Sequence, residues 1–288
     1  MGFRDWLTDR IAQFLTKPVA AYDLRGPNDF ERLKRHIRKG DVLLVEGDQR
    51  VSAVIKYLTQ SSWSHAALYI GDELVRRGGE QRESALASFG NEAQHLLVEA
   101  LVDGVVASPV SKYTNFNVRL CRPHHLRVAD LTEILDDAIA TIGWRYDLRN
   151  IVDLAIHLFR VSILPRRFQL DALSLGSDAG TEVICTSLLG RLFHMVNFPV
   201  LPSVTFPAPP RADVASRWPL RRRHRRRCRR QSLYDGVFRR RHPTLLTPRD
   251  FDLSPYFDIV KFNVIEDGAF DYLRIAWADD TRAGRGSG

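Results

Sequence analysis

The feature that most constrains the fold is a series of short apolar runs, each bounded by turn-forming residues, in the first half of the chain. Runs of about four to eight residues with this composition are typical of buried β-strands. The Asp103-Gly104 pair between two of these runs is a hairpin signal, because such pairs accept the backbone angles of tight turns. The sequence therefore predicts strands over the segments DVLLVEG, SHAALYIG, HLLVEAL, GVVASPV and NFNVRLCRP.

Segments with helical periodicity accompany these strands and mostly follow them. Asn28 and Glu31 have the spacing of a capping box at the start of a helix, and the Thr247-Pro248 pair suits the start of another. A last strand is predicted over YFDIVKF, and no internal repeat is visible. Because strands lead and helices mostly follow, we predict the α+β class. The main helical segments are NDFERLKRHIRKG, RVSAVIKYLTQ, VADLTEILDDAIATIG, NIVDLAIHLFRVSIL and EVICTSLLGRLFHMV.

The positive charge of the chain is concentrated in one block. The net charge is +8, yet residues 217–241 hold 12 arginines and one acidic residue, Asp235, so the remainder is slightly acidic. Like charges at this density repel one another and stay solvated, and the residues before the block are rich in proline. We therefore predict a mobile insertion over 199–242.

This arginine block also raises the question of a polyanionic partner. Arginine neutralises phosphate regardless of base sequence, and an anionic membrane surface attracts it in the same way. No recognition module or interleaved aromatic residue accompanies the block, which disfavours nucleic acid. A solvated loop is the simpler interpretation, and a membrane contact would involve Arg221, Arg222, Arg223, Arg225, Arg226 and Arg227.

The N-terminal segment carries an apolar face at helical spacing that includes Phe3, Trp6 and Phe14. Such a face suits a helix docked on the core or a helix lying on a lipid surface. Asp5 and Asp9 leave no visible signal peptide, no apolar run approaches the length of a membrane span, and three cysteines are too few for a disulfide framework. These features favour a cytoplasmic location, with a peripheral position at the inner membrane face as the alternative.

Three residues have the chemistry of a nucleophile, a base and an orienting group. Cys185 is predicted near the start of a helix, where partial positive charge and free N–H groups favour the thiolate. His65 begins a predicted strand, and Glu99 lies in a strand-like run where a carboxylate needs a partner. Such residues form a nucleophilic triad when they meet in space. Each one taken alone is more often structural, so spacing along the chain does not decide the matter.

Five segments resemble the successive motifs of the permuted papain-like amidases, the YaeF/YiiX type within the NlpC superfamily: KGDVLLVEG, SHAALYIG, LLVEAL, GWRYD and VICTSLL. The resemblance covers about residues 40–200, and a weaker resemblance is visible in the segment TPRDFDLSP. In that family the histidine strand precedes the orienting residue and the cysteine helix, which is the order of His65, Glu99 and Cys185. The resemblance implies an antiparallel sheet packed against helices that include the cysteine helix. Ile184 stands where the family often has an aromatic residue.

The activity of that family implies a cysteine hydrolase or acyltransferase that cleaves an amide or ester without a cofactor. Cys185 would be the nucleophile, His65 the general base, and Glu99 the group that orients the imidazole. A small molecule, a peptide and an acylated lipid are all consistent with this chemistry. The alternative is a catalytically idle member of the fold that binds an anionic membrane or nucleic acid through its arginine block.

Two further groups of residues are candidates for the site. Tyr146 and Asp147 in GWRYD match the family motif, and with Ser64 they are assigned to the substrate site. The motif CRPHH offers side chains that can bind zinc, but its spacing fits no common zinc site and a fourth ligand is not apparent. We therefore expect no metal at its three candidate ligands, Cys121, His124 and His125.

Together these patterns divide the chain into five segments. An amphipathic helix is expected over 1–24 and a permuted papain-like catalytic core over 25–198. The insertion over 199–242 follows, and a C-terminal segment over 243–280 is expected to complete the core. A disordered tail is expected over 281–288.

Overall fold

The structure is a computed structural model that describes residues 17–18, 22–24, 29–101, 104–144, 184–205 and 237–262. Several predicted features lie outside these residues. They are most of the N-terminal helix, the helix predicted over NIVDLAIHLFRVSIL, the arginine block, the C-terminal tail, Tyr146 and Asp147.

The described part of the chain contains seven α-helices, eight strands and three short 3-10 turns. The helices are α1 (Phe30–His36), α2 (Arg50–Thr59), α3 (Glu73–Arg77), α4 (Gly79–Phe89), α5 (Val128–Ala140), α6 (Ile184–Met195) and α7 (Pro248–Leu253). The strands are β1 (Val42–Glu46), β2 (His65–Gly71), β3 (Leu96–Leu101), β4 (Gly104–Pro109), β5 (Asn117–Pro123), β6 (Ser203–Thr205), β7 (Val237–Arg239) and β8 (Phe257–Val260).

Six strands form one antiparallel sheet in the order β4-β3-β2-β1-β5-β8. The central strand β1 pairs with β2, where Val45 lies opposite His65, and with β5 on its other side. The predicted hairpin joins β3 to β4, and β8 from the C-terminal segment pairs with β5. The predicted α+β class is therefore confirmed, with a sheet in which each strand runs opposite to its neighbours.

The sheet is buried on both faces, because successive side chains of a strand point to opposite sides. On one face Leu44 and Leu68 pack with α5 and α6 in the larger core. On the other face Leu43 and Ala67 pack with α1 and with the 3-10 turn Val110–Tyr113. Burial of each large apolar side chain stabilises the fold by roughly 1.5–3 kcal/mol, so both layers hold the sheet rigidly in place.

The predicted start of the first helix was wrong by one residue. The N-cap of α1 is Asp29 rather than Asn28, and its carboxylate accepts a hydrogen bond from the Arg32 backbone N–H at 2.9 Å. The same carboxylate forms an ion pair with the Arg32 guanidinium at 2.9 Å. A charged acceptor satisfies a free N–H group at a helix N-terminus and also suits its partial positive charge.

Helices α3 and α4 were not predicted from the sequence. Most residues of α4 are polar and exposed, and Ala85 is its buried residue. A helix is detected in a sequence by a stripe of apolar residues at helical spacing, and α4 has almost no such stripe. The two helices fill the connection between β2 and β3.

The two ends of the predicted insertion over 199–242 are paired with each other. Strand β6 runs antiparallel to β7, with Ser203 opposite Arg239. The insertion is therefore closed at its base by a two-stranded ladder, and residues 206–236 lie outside the described part of the chain. Among the helices described, none is both long enough and apolar enough to cross a membrane.

Candidate active site

The first residue of β2 places an imidazole at one end of the sheet. The Ser64 N–H donates a hydrogen bond to the Val45 carbonyl at 3.0 Å, and Val45 pairs with His65 across β1 and β2. These contacts fix the backbone that carries the ring. The His65 side chain is 17% exposed, whereas the residues that follow it in β2 are buried. His65 is therefore held by the sheet and still reachable from solvent.

Glu99 lies on β3, the strand next to β2, and bonds directly to His65. The distance from His65 Nε2 to Glu99 Oε2 is 2.6 Å, and the Glu99 side chain has 0% exposure. A buried carboxylate is costly unless donors surround it. Besides the imidazole, Glu99 accepts hydrogen bonds from Lys112 Nζ at 2.6 Å and from the Tyr113 hydroxyl.

Cys185 is the second residue of α6, the helix that packs against β2 and β3. Its side chain is buried and makes no disulfide, and it lies close enough to His65 for a side-chain hydrogen bond. Because Nε2 of His65 is bonded to Glu99, Nδ1 is the ring nitrogen left for the sulfur. The structure therefore brings together all three residues that the sequence singled out.

The pKa of His65 reflects its place between two acidic partners. Burial alone would lower this pKa, but the charge of Cys185, hydrogen bonds to Cys185 and Glu99, and the charge of Glu99 raise it to about 10. Burial acts to raise the pKa of Glu99, yet the bonds and charges of His65 and Lys112 hold it well below its usual range. The ionised carboxylate of Glu99 beside the ring therefore favours the protonated form of the imidazole.

Sequence reasoning missed Lys112 and Tyr113. They lie in the 3-10 turn after β4, and the β3–β4 hairpin brings this turn back to Glu99. Burial and the charge of Glu99 raise the pKa of Tyr113 far above its ordinary value, so the hydroxyl stays a neutral donor. The sequence does hold a signal for them. The turn SKYT is rich in hydrogen-bond donors and follows β4, the strand that forms a hairpin with the one carrying Glu99.

The C-terminal segment anchors the chain just before His65. The Trp63 indole N–H donates a hydrogen bond to Asp252 of α7 at 3.1 Å. The Arg119 guanidinium lies 5.0 Å from the centre of the Trp63 ring and pairs with the same carboxylate. Asp252 belongs to the segment TPRDFDLSP, so this part of the chain supports the start of β2 directly.

The predicted substrate-site residues are only partly placed. Ser64 is buried, and its hydroxyl accepts a hydrogen bond from the Gly47 N–H at 2.9 Å. It therefore holds the loop after β1 against the start of β2, and its assignment to substrate binding stays a prediction. Tyr146 and Asp147 lie outside the described residues.

The motif CRPHH does not form a cluster of ligands. Cys121 is fully buried in the larger core, and burial raises the pKa of its thiol to about 12. His124 is exposed at the surface, with its Nδ1 2.8 Å from a carboxylate oxygen of Asp258. In the parts of the chain that the structure describes, no group of three or more His, Cys, Asp or Glu side chains could hold a metal ion.

Comparison with known proteins does not assign the chain to a family. No protein-family model matches the sequence, and no curated protein matches it either. The function is therefore inferred from the side chains assembled around His65.

Proposed function

We propose that the protein is a cysteine hydrolase or acyltransferase that cleaves an amide or ester through Cys185, His65 and Glu99. The observation that carries the proposal is that the His65 ring lies between the two other residues, with Nε2 held by Glu99 at 2.6 Å and Cys185 close enough for a side-chain hydrogen bond. A nucleophile, a base and an orienting group in direct contact are what covalent acyl transfer requires. A cysteine that only fills a core needs neither a charged imidazole nor a buried carboxylate beside it.

In the first half-reaction the Cys185 sulfur attacks the carbonyl carbon of the substrate. A C–S bond forms and the carbonyl π electrons move to oxygen. Backbone N–H groups at the start of α6, including that of Cys185, are donors for this oxyanion. Collapse of the tetrahedral species breaks the bond to the amine or alcohol, which leaves with the proton of His65 and yields a thioester.

In the second half-reaction water or another acceptor attacks the thioester carbonyl and passes a proton to the neutral His65. The C–S bond breaks, Cys185 returns as the thiolate, and the acid or the transferred acyl product departs. Glu99 remains ionised and stabilises the imidazolium each time it forms. Its bond to Nε2 keeps Nδ1 directed at the sulfur in both half-reactions.

We also propose the permuted papain-like arrangement for this fold. The order of the site residues supports it, because His65 on β2 and Glu99 on β3 precede Cys185 on its helix. The six-stranded antiparallel sheet and the packing of α6 against β2 and β3 are compatible with that arrangement. Under this proposal α6 supplies the nucleophile and the sheet supplies the base.

Turnover of a panel of amide and ester substrates tests the proposed reaction. The comparison needs the wild type, Cys185→Ala and Cys121→Ala. Cys121 is a second buried free cysteine, and it lies on β5, on the other side of β1 from His65. We expect Cys185→Ala to lose turnover while its thermal unfolding stays close to that of the wild type. Cys121→Ala should keep its turnover. Retention of turnover in Cys185→Ala would overturn the proposal.

A further inference from the structure

We infer that Tyr113 and Lys112 are positioning residues of this site, which together hold the Glu99 carboxylate in the orientation that aims it at His65. The inference rests on the proposed function, because it assigns both residues to the same reaction. Both bond to Glu99, and they act on the chemistry through Glu99 and then through the imidazole.

The contacts divide the two carboxylate oxygens between distinct donors. Oε2 of Glu99 accepts from His65 Nε2 and from the Tyr113 hydroxyl, and Oε1 accepts from Lys112 Nζ. The terminal torsion of a glutamate is broad and is not fixed by its own rotamer. Donors on fixed backbone at both oxygens therefore set the plane of the carboxylate, and that plane sets the direction of the bond to His65.

Tyr113 is itself held rigidly by packing. Its side chain is buried, and its ring meets the Phe116 ring edge-on with centroids 5.7 Å apart. The Val110 N–H at the start of the same turn donates to the His95 carbonyl at 2.9 Å, and Lys112 Nζ lies 5.2 Å from the centre of the Tyr113 ring. The turn therefore presents the hydroxyl and the ammonium group to Glu99 as one unit.

The positive charge of Lys112 also matters during the reaction. His65 is cationic before acylation and neutral in the acyl-enzyme, so Glu99 loses its positive partner at that stage. A buried carboxylate without a counter-charge would be driven to take up a proton. The Lys112 ammonium group is paired with Oε1 at 2.6 Å, so it gives Glu99 a counter-charge while His65 is neutral.

The fold supplies a matched control for each residue. Tyr69 is a buried tyrosine in the same core as Tyr113, but its hydroxyl bonds to His95 Nδ1 at 2.8 Å. Lys39 pairs with buried Glu73 at 2.6 Å, the same distance as the Lys112–Glu99 pair. Replacing these two residues removes the same chemical groups without touching the carboxylate beside His65.

The kinetic arm compares Tyr113→Phe and Lys112→Met with the controls Tyr69→Phe and Lys39→Met. Loss of one hydrogen bond to a charged group predicts a fall in kcat of about tenfold for each site variant, with KM unchanged. The controls should keep the wild-type kcat. Lys112→Arg keeps the charge and should restore most of the loss.

A spectroscopic arm does not depend on turnover. In the wild type the His65 Nε2 proton is held in a short bond to a buried oxygen, so NMR should show it as a slowly exchanging imidazole signal. Tyr113→Phe and Lys112→Met should broaden this signal, whereas Tyr69→Phe and Lys39→Met should leave it sharp. If Tyr113→Phe fails to fold, Lys112→Met still provides the test, because the Lys112 side chain is partly exposed.

The two arms separate this inference from the proposed function. A wild type that turns over no amide or ester would contradict the proposed function, and the Nε2 proton signal would still report whether Tyr113 and Lys112 hold Glu99. A site variant that keeps both kcat and the sharp signal would overturn the inference while leaving the proposed function intact.

Discussion

Replacement of Glu99 by glutamine should reduce turnover only in part, whereas alanine should nearly abolish it. Glutamine keeps the shape of the side chain, and its amide oxygen can accept from His65 and Tyr113 at the position of Oε2. A hydrogen bond to a charged group contributes about 1.5–3 kcal/mol, and a neutral acceptor gives roughly half of that. The loss of about 1 kcal/mol corresponds to a fall in kcat of roughly fivefold to tenfold.

Alanine removes both oxygens and leaves the Tyr113 hydroxyl buried without its acceptor. An unsatisfied buried group costs about 1–3 kcal/mol of stability, so Glu99→Ala should unfold at lower denaturant than Glu99→Gln. The imidazole also loses the group that orients it, which predicts a fall in kcat on the order of a hundredfold or more. Steady-state kinetics on the best substrate of the panel and denaturant titrations measure the two effects.

Lys112 allows a stricter test of this prediction, because it also bonds to the side chain at position 99. Its Nζ donates to Oε1 in the wild type, so in Glu99→Gln it competes with the two donors His65 and Tyr113 for the single amide oxygen. The double variant Glu99→Gln/Lys112→Met removes that competitor and should turn over faster than Glu99→Gln alone. Equal kcat values for Glu99→Gln and Glu99→Ala, or a double variant slower than Glu99→Gln, would refute the orienting role.

Three further outcomes follow from the same contacts. Cys185→Ala should lower the pKa of His65 in an NMR titration, since the charge and hydrogen bond of Cys185 both raise it. An unchanged pKa would show that the two side chains do not interact. The pKa of Glu99 lies below its ordinary 4.5 in the folded protein, so its stabilisation is complete above that pH and is lost as acid protonates the folded carboxylate. Denaturant titrations across pH should show this slope in the wild type and a weaker one in Glu99→Gln. Thr247→Ala should cost about 1 kcal/mol of stability by removing the capping box with Asp250; an unchanged denaturant midpoint would contradict this.

The strands of the sheet were predictable from the sequence because each is a short apolar run between turn residues. The hairpin at Asp103-Gly104 was predictable for a local reason, the backbone preference of that pair. Helix α4 was not, because its exposed polar residues give no apolar stripe, and α3 is only five residues long. The order of the strands in the sheet could not be predicted from residue patterns, because β5 pairs with β8, a strand that is distant in the sequence.

The candidate site divides in the same way. Cys185, His65 and Glu99 stand out because each is a reactive or charged residue in an apolar run, and the resemblance to a family supplied their order. Lys112 and Tyr113 sit in an ordinary polar turn, and their importance appears only when the hairpin folds back on Glu99. Partners that satisfy a buried charge are tertiary contacts, which residue spacing alone does not reveal.

Labelling of the intact protein with an acyl electrophile, followed by mass-spectrometric mapping of the modified cysteine, is the most direct check on Cys185 as the nucleophile. We expect the adduct on Cys185, formed more slowly in His65→Ala, because the imidazole stabilises the thiolate. Cys121 should stay unmodified, because it is fully buried and burial raises the pKa of its thiol to about 12. Cys228 in the arginine block is the competing thiol in the sequence. An adduct on Cys228 with Cys185 unmodified, or an equal rate at Cys185 in His65→Ala, would contradict the proposed mechanism.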